Sequence, residues 1–206
     1  MIDQLQTEHE VSFAQNYKPP DGEFDSFPEI HKKTANILLK KGYKSLFPIQ
    51  QHCFYPVYNR HDLIARDLTG SGKTIAFGLP TIEYLRRHGQ LGTRKIKSII
   101  LAPTRELALQ VTNELLKLKH YETEFKILTV YGGVSIDDQT RQLRHGVDIF
   151  VGTTGRVLDH IERGNINFEG LMSIVLDEAD QMLRQGFKED VEKILYNIRK
   201  GCKNDL

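Results

Sequence analysis

The sequence has few cysteines and no excess of charge of either sign. Its 206 residues include two cysteines, Cys53 and Cys202, and 28 Lys and Arg against 27 Asp and Glu, for a net charge of +1. The cysteines lie far apart, and neither has a second cysteine or a histidine at ligand spacing. This excludes a disulfide framework and a zinc site and indicates a reducing compartment. The charge balance excludes a polyanion-binding tail and an acidic solvating chain.

Long apolar runs are also lacking. Runs such as Ile99–Ala102 are far shorter than the roughly 20 apolar residues of a membrane-spanning helix. At the N-terminus, Asp3, Glu8 and Glu10 precede the first basic residue, Lys18, a pattern that argues against secretory and mitochondrial targeting peptides. We therefore expect an intracellular protein with no membrane partner.

The composition that remains is that of a globular domain. Hydrophobic residues make up 39% of the chain and charged residues 27%, with 16 glycines and 7 prolines, which excludes disordered and collagenous chains. This length favours one larger domain over two small ones. Residues 1–23 hold five acidic residues against one lysine and end in the turn-forming stretch 18–22. We expect a flexible extension over residues 1–23 and a single domain over residues 24–206.

Short apolar runs alternate with amphipathic stretches from Asp62 onward. Continuous apolar runs are typical of buried parallel strands, and helical patterns between them, such as Glu106–Lys117 and Phe187–Ile198, indicate βαβ crossovers. The sequence therefore predicts an α/β fold, a parallel sheet with helices on both faces and functional loops at the carboxyl ends of the strands. The predicted strands are Leu63–Ala65, Ser98–Ala102, Phe125–Val130, Val147–Val151 and Met172–Leu176.

A phosphate-binding loop is predicted directly after the first of these strands. Its glycines let backbone N–H groups converge on phosphate oxygens at the positive end of the following helix. Lys73 can reach the β- and γ-phosphates, and the Thr74 hydroxyl can ligate Mg²⁺. The alternative is a glycine-rich strand-to-helix turn with an exposed lysine, and Asp67 stands where the complete motif has a glycine. The predicted nucleotide-binding residues of the loop are Thr69, Gly70, Ser71, Gly72, Lys73 and Thr74.

A second motif, Asp177–Asp180, places three carboxylates after the last predicted strand. Asp177 at the strand end suits a direct or water-mediated Mg²⁺ ligand, and Glu178 can orient and deprotonate an attacking water. Alone, such an acidic turn is equally consistent with a helix N-terminus that makes favourable dipole contacts. With a phosphate loop upstream, it favours a nucleotide hydrolase.

These motifs resemble the N-terminal RecA-like domain, a P-loop NTPase fold, of a DEAD-box ATP-dependent RNA helicase. The resemblance covers about residues 24–200. Within the family, Leu46–Gln50 and Asp177–Leu183 are most similar to the nucleolar RNA helicase group, also called Gu-type, which implies ribosome biogenesis and a nuclear or nucleolar location, with the cytoplasm as the alternative. The other matching motifs are the Q motif at Gly42–Gln50, Pro103–Ala108, the Gly132–Gly133 pair and Thr153–Arg156.

The resemblance implies ATP and Mg²⁺ as cofactors. The Gln50 carboxamide offers the donor and acceptor that suit an adenine edge. Phe24 is predicted to stack on the base and Tyr43 to line the same site, whereas we expect Phe27 to pack into the core. The implied catalytic residues are Lys73, Asp177, Glu178 and Asp180, of which Asp180 links the nucleotide site to neighbouring motifs, and the implied Mg²⁺ residues are Thr74 and, largely through water, Asp177.

The resemblance also implies that three strand-end loops grip the RNA backbone without reading bases. Each loop alone fits a helix cap or a tight turn better than an RNA contact. Together, at successive strand ends of one sheet, they are expected to line a groove. The implied RNA-binding residues are Pro103, Thr104, Arg105, Gly133, Thr153, Gly155 and Arg156.

Two positions depart from the family pattern. Asp67 replaces an alanine and adds a negative charge that is expected to weaken nucleotide binding unless Arg66 or another cation offsets it. Thr154 replaces a proline and restores a backbone N–H. Neither change removes a reacting group.

The family's second RecA-like domain, which supplies arginine fingers, is absent from this sequence. We therefore expect a monomeric fragment that binds nucleotide with little turnover, and RNA helicase activity in the complete protein. Two alternatives stay open: a non-catalytic RecA-like module that binds RNA or protein, and a P-loop phosphotransferase.

Overall fold

The computed structural model describes residues 19–68 and 70–202, and the chain divides into two compact units, Met1–Tyr84 and Leu85–Leu206. Most of the expected N-terminal extension, residues 1–18, lies outside the described residues, as does Thr69 of the phosphate loop. The domain boundaries expected from the sequence stay a prediction.

The first unit is helical, and short polar contacts set its helix ends. A 3₁₀ turn spans Phe24–Ser26, helix α1 spans Lys32–Lys40, α2 spans Pro48–Tyr58, and α3, Lys73–Arg87, begins in this unit. The ring of His31 accepts the N–H of Lys33 at 3.1 Å and caps α1. Gly42 ends α1 with φ +88°, a left-handed conformation that favours glycine.

Aromatic side chains form the core of the first unit. Phe27 and Phe54 are fully buried, and their ring centroids lie 4.9 Å apart in an edge-to-face arrangement. Tyr58 stacks on Phe54 at 5.9 Å and contacts Tyr84 at 5.6 Å. The expectation that Phe27 packs into the core is confirmed.

The second unit contains a four-stranded parallel sheet. The strands are β1 (Ser98–Ala102), β2 (Ile127–Val130), β3 (Ile149–Thr153) and β4 (Ser173–Leu176), in the order β2-β3-β1-β4. All five β1 residues and the first four of β3 are buried, as expected for central strands. The α/β prediction of a parallel sheet flanked by helices is confirmed.

Register brings the carboxyl ends of the strands to one edge of the sheet. Ala102 of β1 pairs with Thr153 of β3, and Leu101 of β1 pairs with Leu176 of β4. Ligand-binding loops of open parallel sheets lie at this edge. The loops after all four strands therefore emerge side by side.

Within the described part of the second unit, residues 85–202, five helices follow the strands. Thr104 caps α4 by accepting the N–H of Leu107 at 3.2 Å, and Ser135 caps α5 by accepting the N–H of Asp138 at 3.4 Å. Among the helices of residues 19–68 and 70–202, none is long and apolar enough to cross a membrane. The helices are α4 (Arg105–Leu116), α5 (Ile136–Arg144), α6 (Thr154–Glu162), α7 (Ala179–Arg184) and α8 (Lys188–Gly201).

Gly152 allows β2, β3 and α6 to approach closely. A Cβ atom at this position would lie 2.6 Å from Cγ2 of both Val130 and Val157 and 3.0 Å from the Val130 carbonyl oxygen. These distances are below van der Waals contact, so any larger residue would push β3 away from its neighbours.

The predicted strand Leu63–Ala65 is wrong. Residues 61–68 form neither helix nor strand, and their side chains are exposed; Ile64, for example, is 70% exposed. The apolar run has only three residues between charged neighbours, Asp62 on one side and Arg66 on the other, and so offers little surface to bury. In this structure the phosphate loop follows an irregular segment.

Candidate nucleotide and nucleic-acid sites

Two glycines and a lysine shape the phosphate loop. Gly70 and Gly72 have φ of +84° and +87°, in the left-handed region, and α3 begins at Lys73. The Lys73 ammonium donates to the carbonyl oxygens of Asp67 at 3.0 Å and Leu68 at 3.1 Å. The lysine therefore lies across its own loop, where a phosphate oxygen would compete with these carbonyls.

A buried hydroxyl in this loop lacks a hydrogen-bond partner. Ser71 Oγ is shielded from solvent and has none among the described residues. Thr74, half-buried in the first turn of α3, places a second hydroxyl at the positive end of that helix. Hydroxyl and ammonium donors at a helix N-terminus are suited to phosphate oxygens, and a threonine hydroxyl is a hard oxygen ligand suited to Mg²⁺. These residues therefore fit a bound Mg²⁺–nucleotide.

Gln50 is 1% exposed and joins α2 to the phosphate loop. Its Oε1 accepts the N–H of Phe47 at 2.9 Å, and its Nε2 donates to the Gly72 carbonyl oxygen at 3.2 Å. A Cβ atom at Gly72 would lie 2.3 Å from this Nε2, so glycine is required there for space as well as for φ. The predicted contact of Gln50 with adenine stays a prediction.

The residues predicted to surround the base differ in exposure. Phe24 is 8% exposed, which leaves little of its ring free for stacking. Tyr43 is half-buried, with its ring 5.7 Å from that of Phe47, which is 44% exposed. Of these rings, Phe47 offers the most open surface, although sequence reasoning did not select it.

The acidic motif begins directly after β4. Asp177 is buried, and its N–H donates to the Leu101 carbonyl oxygen at 2.9 Å, which extends the pairing of β4 with β1. Glu178 has φ +55°, a left-handed conformation that costs a non-glycine residue about 1–3 kcal/mol and is typical of functional sites. Asp180 is exposed and pairs with Arg184 one turn along α7.

The loop after β1 is built around the α4 N-terminus. Pro103 is buried, Thr104 caps the helix, and Arg105 is exposed. The Arg105 guanidinium lies over the ring of Tyr131, which follows β2, at 4.3 Å from its centroid. An exposed cation thus connects the loops after β1 and β2.

The remaining predicted RNA contacts lie after β2 and β3. Gly133 is exposed with φ +80°, and a Cβ there would meet nothing within 4 Å. Thr153 ends β3 half-buried, and Gly155 is exposed in the first turn of α6. Thr154 is buried as the first residue of α6, a position that also accepts the family's proline.

Arg156 lies largely inside the protein, with 11% of its side chain exposed. Its Nη1 donates to the carbonyl oxygen of Val134 at 3.0 Å and to Oε1 of Gln139 at 2.9 Å. Sequence reasoning missed Gln139 and its second neighbour, His160. The signal that could have found His160 is its four-residue spacing from Arg156, which puts two polar side chains on one helix face; no local pattern indicates Gln139.

His160 is fully buried. Its ring contacts Gln139 Oε1 at 3.2 Å through Nε2 and Asn165 Nδ2 at 3.1 Å through Nδ1. Burial, and then the positive charge of Arg156, lower the pKa of His160 to about 4; Asp159 opposes this shift, and Arg163 adds a smaller lowering effect. The imidazole is therefore neutral at pH 7.

A glycine-rich loop ahead of a helix and an acidic strand-end turn on a parallel α/β sheet define the class of P-loop NTPases. Residues 47–205 match the family described as DEAD/DEAH box helicase, and the chain belongs to this family. The predicted DEAD-box resemblance is confirmed.

Individual relatives agree with this assignment. The chain is 42% identical to the ATP-dependent RNA helicase DDX50 of Homo sapiens over 90% of this chain and 25% of that protein. It is 40% identical to nucleolar RNA helicase 2 of Rattus norvegicus over 94% of this chain and 24% of that protein. The chain thus spans about a quarter of the length of these relatives.

A solved structure supports the fold. The crystal structure of a DEAD box protein from the hyperthermophile Methanococcus jannaschii superposes with a TM-score of 0.77 at 39% identity. The match covers 85% of this chain and 46% of that chain.

Proposed function

We propose that the chain is the ATP-binding, N-terminal RecA-like domain of an ATP-dependent RNA helicase. In the complete protein, ATP binding and hydrolysis would drive local separation of RNA strands or remodelling of RNA–protein complexes. The observation that carries the proposal is the phosphate loop, in which Ser71 Oγ is buried with no hydrogen-bond partner among the described residues and Lys73 lies over the carbonyl oxygens of Asp67 and Leu68. The Ser71 hydroxyl would gain a hydrogen bond when a phosphate arrives, and Lys73 could exchange a carbonyl for a phosphate oxygen.

The residues that would meet the phosphates and Mg²⁺ have separate proposed roles. Lys73 would hold the β- and γ-phosphates, and Thr74 would ligate Mg²⁺, with Asp177 acting largely through water. The metal would supply charge neutralisation of the phosphate oxygens. Glu178 would orient and deprotonate the attacking water, and Asp180 would connect the site to neighbouring motifs.

The loops at the carboxyl edge of the sheet would hold the RNA backbone. Arg105 is the exposed cation there, and Gly133 and Gly155 are exposed backbone positions that a sugar–phosphate chain can approach closely. Pro103, Thr104 and Thr153 would shape these loops. Such binding is independent of base sequence, and a second RecA-like domain would close over the same edge.

Two alternatives receive less support. The charge of Asp67 favours a non-catalytic RecA-like module, but the family match and the left-handed Glu178 favour an active nucleotide site. A phosphotransferase would be expected to have an acceptor pocket or lid, whereas the family match and the relative DDX50 both favour a helicase.

Calorimetry and turnover assays test the proposal. The 206-residue chain should bind ADP with Mg²⁺, and Lys73→Ala should abolish that binding. Turnover should be slow in this chain and RNA-stimulated in a protein that carries the second domain, since an arginine finger can contribute 10³–10⁵-fold in rate. Equal RNA-stimulated turnover by the 206-residue chain and by the two-domain protein would contradict the proposed need for the second domain. Absence of ADP binding would favour the non-catalytic module.

Nucleolar RNA helicase 2 among the relatives supports a nucleolar location. Fluorescent tagging of the complete protein, with a nucleolar marker in the same cells, tests it. A purely cytoplasmic signal would contradict the proposal.

A further inference from the structure

One buried carboxamide joins the loops that follow β2 and β3. Gln139 on α5 is 5% exposed, and its Nε2 donates to the Tyr131 carbonyl oxygen at 3.2 Å. Its Oε1 accepts Nη1 of Arg156 at 2.9 Å and contacts Nε2 of His160 at 3.2 Å. One side chain thus reaches the first residue after β2 and two residues of α6.

The orientation of this carboxamide is determined by its partners. Arg156 can only donate, so the oxygen of Gln139 must face it, and the nitrogen then faces the carbonyl of Tyr131. His160 must donate from Nε2 to the same oxygen, which leaves Nδ1 to accept from Asn165. Because each group has one compatible role, the network has a single arrangement and resists rotation of any member.

The network fixes both ends of the loop after β2. Gln139 holds the carbonyl of Tyr131, and Arg156 holds the carbonyl of Val134 at 3.0 Å. Between them lie Gly132 and Gly133, both exposed. Glycines have little conformational preference of their own, so the shape of this tip depends on the two fixed ends.

We infer that Gln139 is a positioning residue for RNA binding: its carboxamide sets the loops after β2 and β3 in one arrangement, and Arg156 acts through this network rather than on a phosphate. The inference rests on the proposed function of these loops. Arg156 supports it because its guanidinium is mostly buried, bonded to two protein oxygens and 3.6 Å from the carboxylate of Asp159.

The inference is tested by RNA binding in the complete protein. The probe is a fluorescein-labelled single-stranded oligouridylate, with Mg²⁺ and a non-hydrolysable ATP analogue, followed by anisotropy. Gln139→Met removes all three contacts at similar volume and should weaken RNA binding about tenfold, while ADP affinity stays unchanged. Gln142→Met is the matched control, because Gln142 is exposed on the same helix, and it should bind RNA as the parent does.

A second variant separates the contacts. Gln139→Glu keeps an acceptor for Arg156 but turns an oxygen toward the Tyr131 carbonyl, and it should also weaken RNA binding, even where Gln139→Met fails to fold. Hydrogen exchange should accelerate together in residues 131–135 and 153–156 of either variant. A volume-filling role would not move both loops.

A double-mutant cycle decides the role of Arg156. If Arg156 acts through Gln139, Arg156→Met and the double variant should lose no more RNA affinity than Gln139→Met alone. Arg156→Lys should then bind RNA no better than Arg156→Met does. If the affinity losses of the two single variants multiplied in the double variant, or if Arg156→Lys restored RNA binding, Arg156 would contact a phosphate directly. Either result would overturn the inference. Unchanged RNA binding by folded Gln139→Met and Gln139→Glu would overturn it as well. Failure of the parent protein to bind RNA would instead contradict the proposed function, and the inference with it.

Discussion

The Nε2 atom of Gln50 lies 3.2 Å from the carbonyl oxygen of Gly72, 22 residues further along the chain. A side chain at the start of α2 therefore supports the phosphate loop directly, and the contact is possible only because Gly72 has no Cβ. The residue predicted to recognise adenine also holds the groups predicted to bind phosphate. A change at Gln50 should affect both functions.

The first prediction separates adenine recognition by Gln50 from its support of the phosphate loop. Gln50→Ala should weaken Mg²⁺-dependent binding of ADP and of inorganic pyrophosphate, because the loop loses a part-buried hydrogen bond worth about 1 kcal/mol. It should also reduce the preference for ADP over GDP, which we expect to be on the order of 1–3 kcal/mol in the parent chain. Calorimetry with the three ligands measures both effects. Unchanged pyrophosphate affinity would mean that Gln50 recognises the base alone.

The second prediction concerns Asp67. Its Oδ1 accepts the N–H of Leu68 at 2.8 Å, and its side chain is exposed. Asp67→Ala should tighten ADP binding by removing a negative charge near the phosphates, with a smaller gain at high salt because of screening. Asp62→Ala, at an exposed acidic position in the same segment, is the control. The same ADP affinity in both variants would show that the Asp67 carboxylate points away from the ligand.

The sheet was predictable because its strands are continuous apolar runs. The predicted Ser98–Ala102 and the other three strands of the second unit agree with the structure to within two residues at each end. Caps such as Thr104 follow from residue type and position. At these positions the residue types that favour the local structure also suit its burial. One sequence pattern therefore predicts both the element and which of its residues are buried.

Other features depend on distant partners. Gln139 contacts residues 17 and 21 positions away, and nothing local indicates that its carboxamide is buried. RNA binding by Arg156 stays a prediction, and sequence does not show that its guanidinium reaches the main-chain carbonyl of Val134. Leu63–Ala65 does not form the predicted strand, because an apolar run becomes a strand only where a neighbouring strand pairs with it.

The third prediction tests close packing at Gly152. Gly152→Ala should destabilise the chain by roughly 1–3 kcal/mol, because the new methyl group would overlap Val130 and Val157. Gly155→Ala is the matched control, since a Cβ there meets nothing within 4 Å, and alanine in a helix should be neutral or slightly stabilising. Urea unfolding measures both. Equal stability of the two variants would show that β3 can shift without cost.

The fourth prediction concerns a buried ion pair. Arg86 Nε donates to Glu124 Oε1 at 2.7 Å, and the N–H of His120 donates to Oε2 at 2.7 Å. Burial raises the pKa of Glu124, but these hydrogen bonds and the charges of Arg86 and His120 outweigh it and hold the pKa below its usual range. Glu124→Gln should cost roughly 3 kcal/mol, because Arg86 loses its counter-charge. Glu122→Gln, at an exposed site in the same loop, should change the stability little, and urea unfolding measures both variants. A similar small loss of stability in Glu124→Gln and Glu122→Gln would show that the ion pair does not stabilise the fold.

The last prediction is a pH dependence set by His160. Its folded pKa of about 4 lies below the unfolded value of roughly 6.5, so the unfolded chain binds a proton more readily than the folded one between these values. Its contribution to stability is therefore complete above pH 6.5 and is lost as the pH falls toward 4, with a slope of about 1.4 kcal/mol per pH unit. His160→Gln can keep both hydrogen bonds without titrating, so urea unfolding between pH 4.5 and 7.5 should show a flatter profile than in the parent. His145→Gln, at an exposed site, should leave the profile as it is. A parent-like slope in His160→Gln would mean that other groups produce the acid sensitivity and that the buried imidazole accepts a proton without loss of stability.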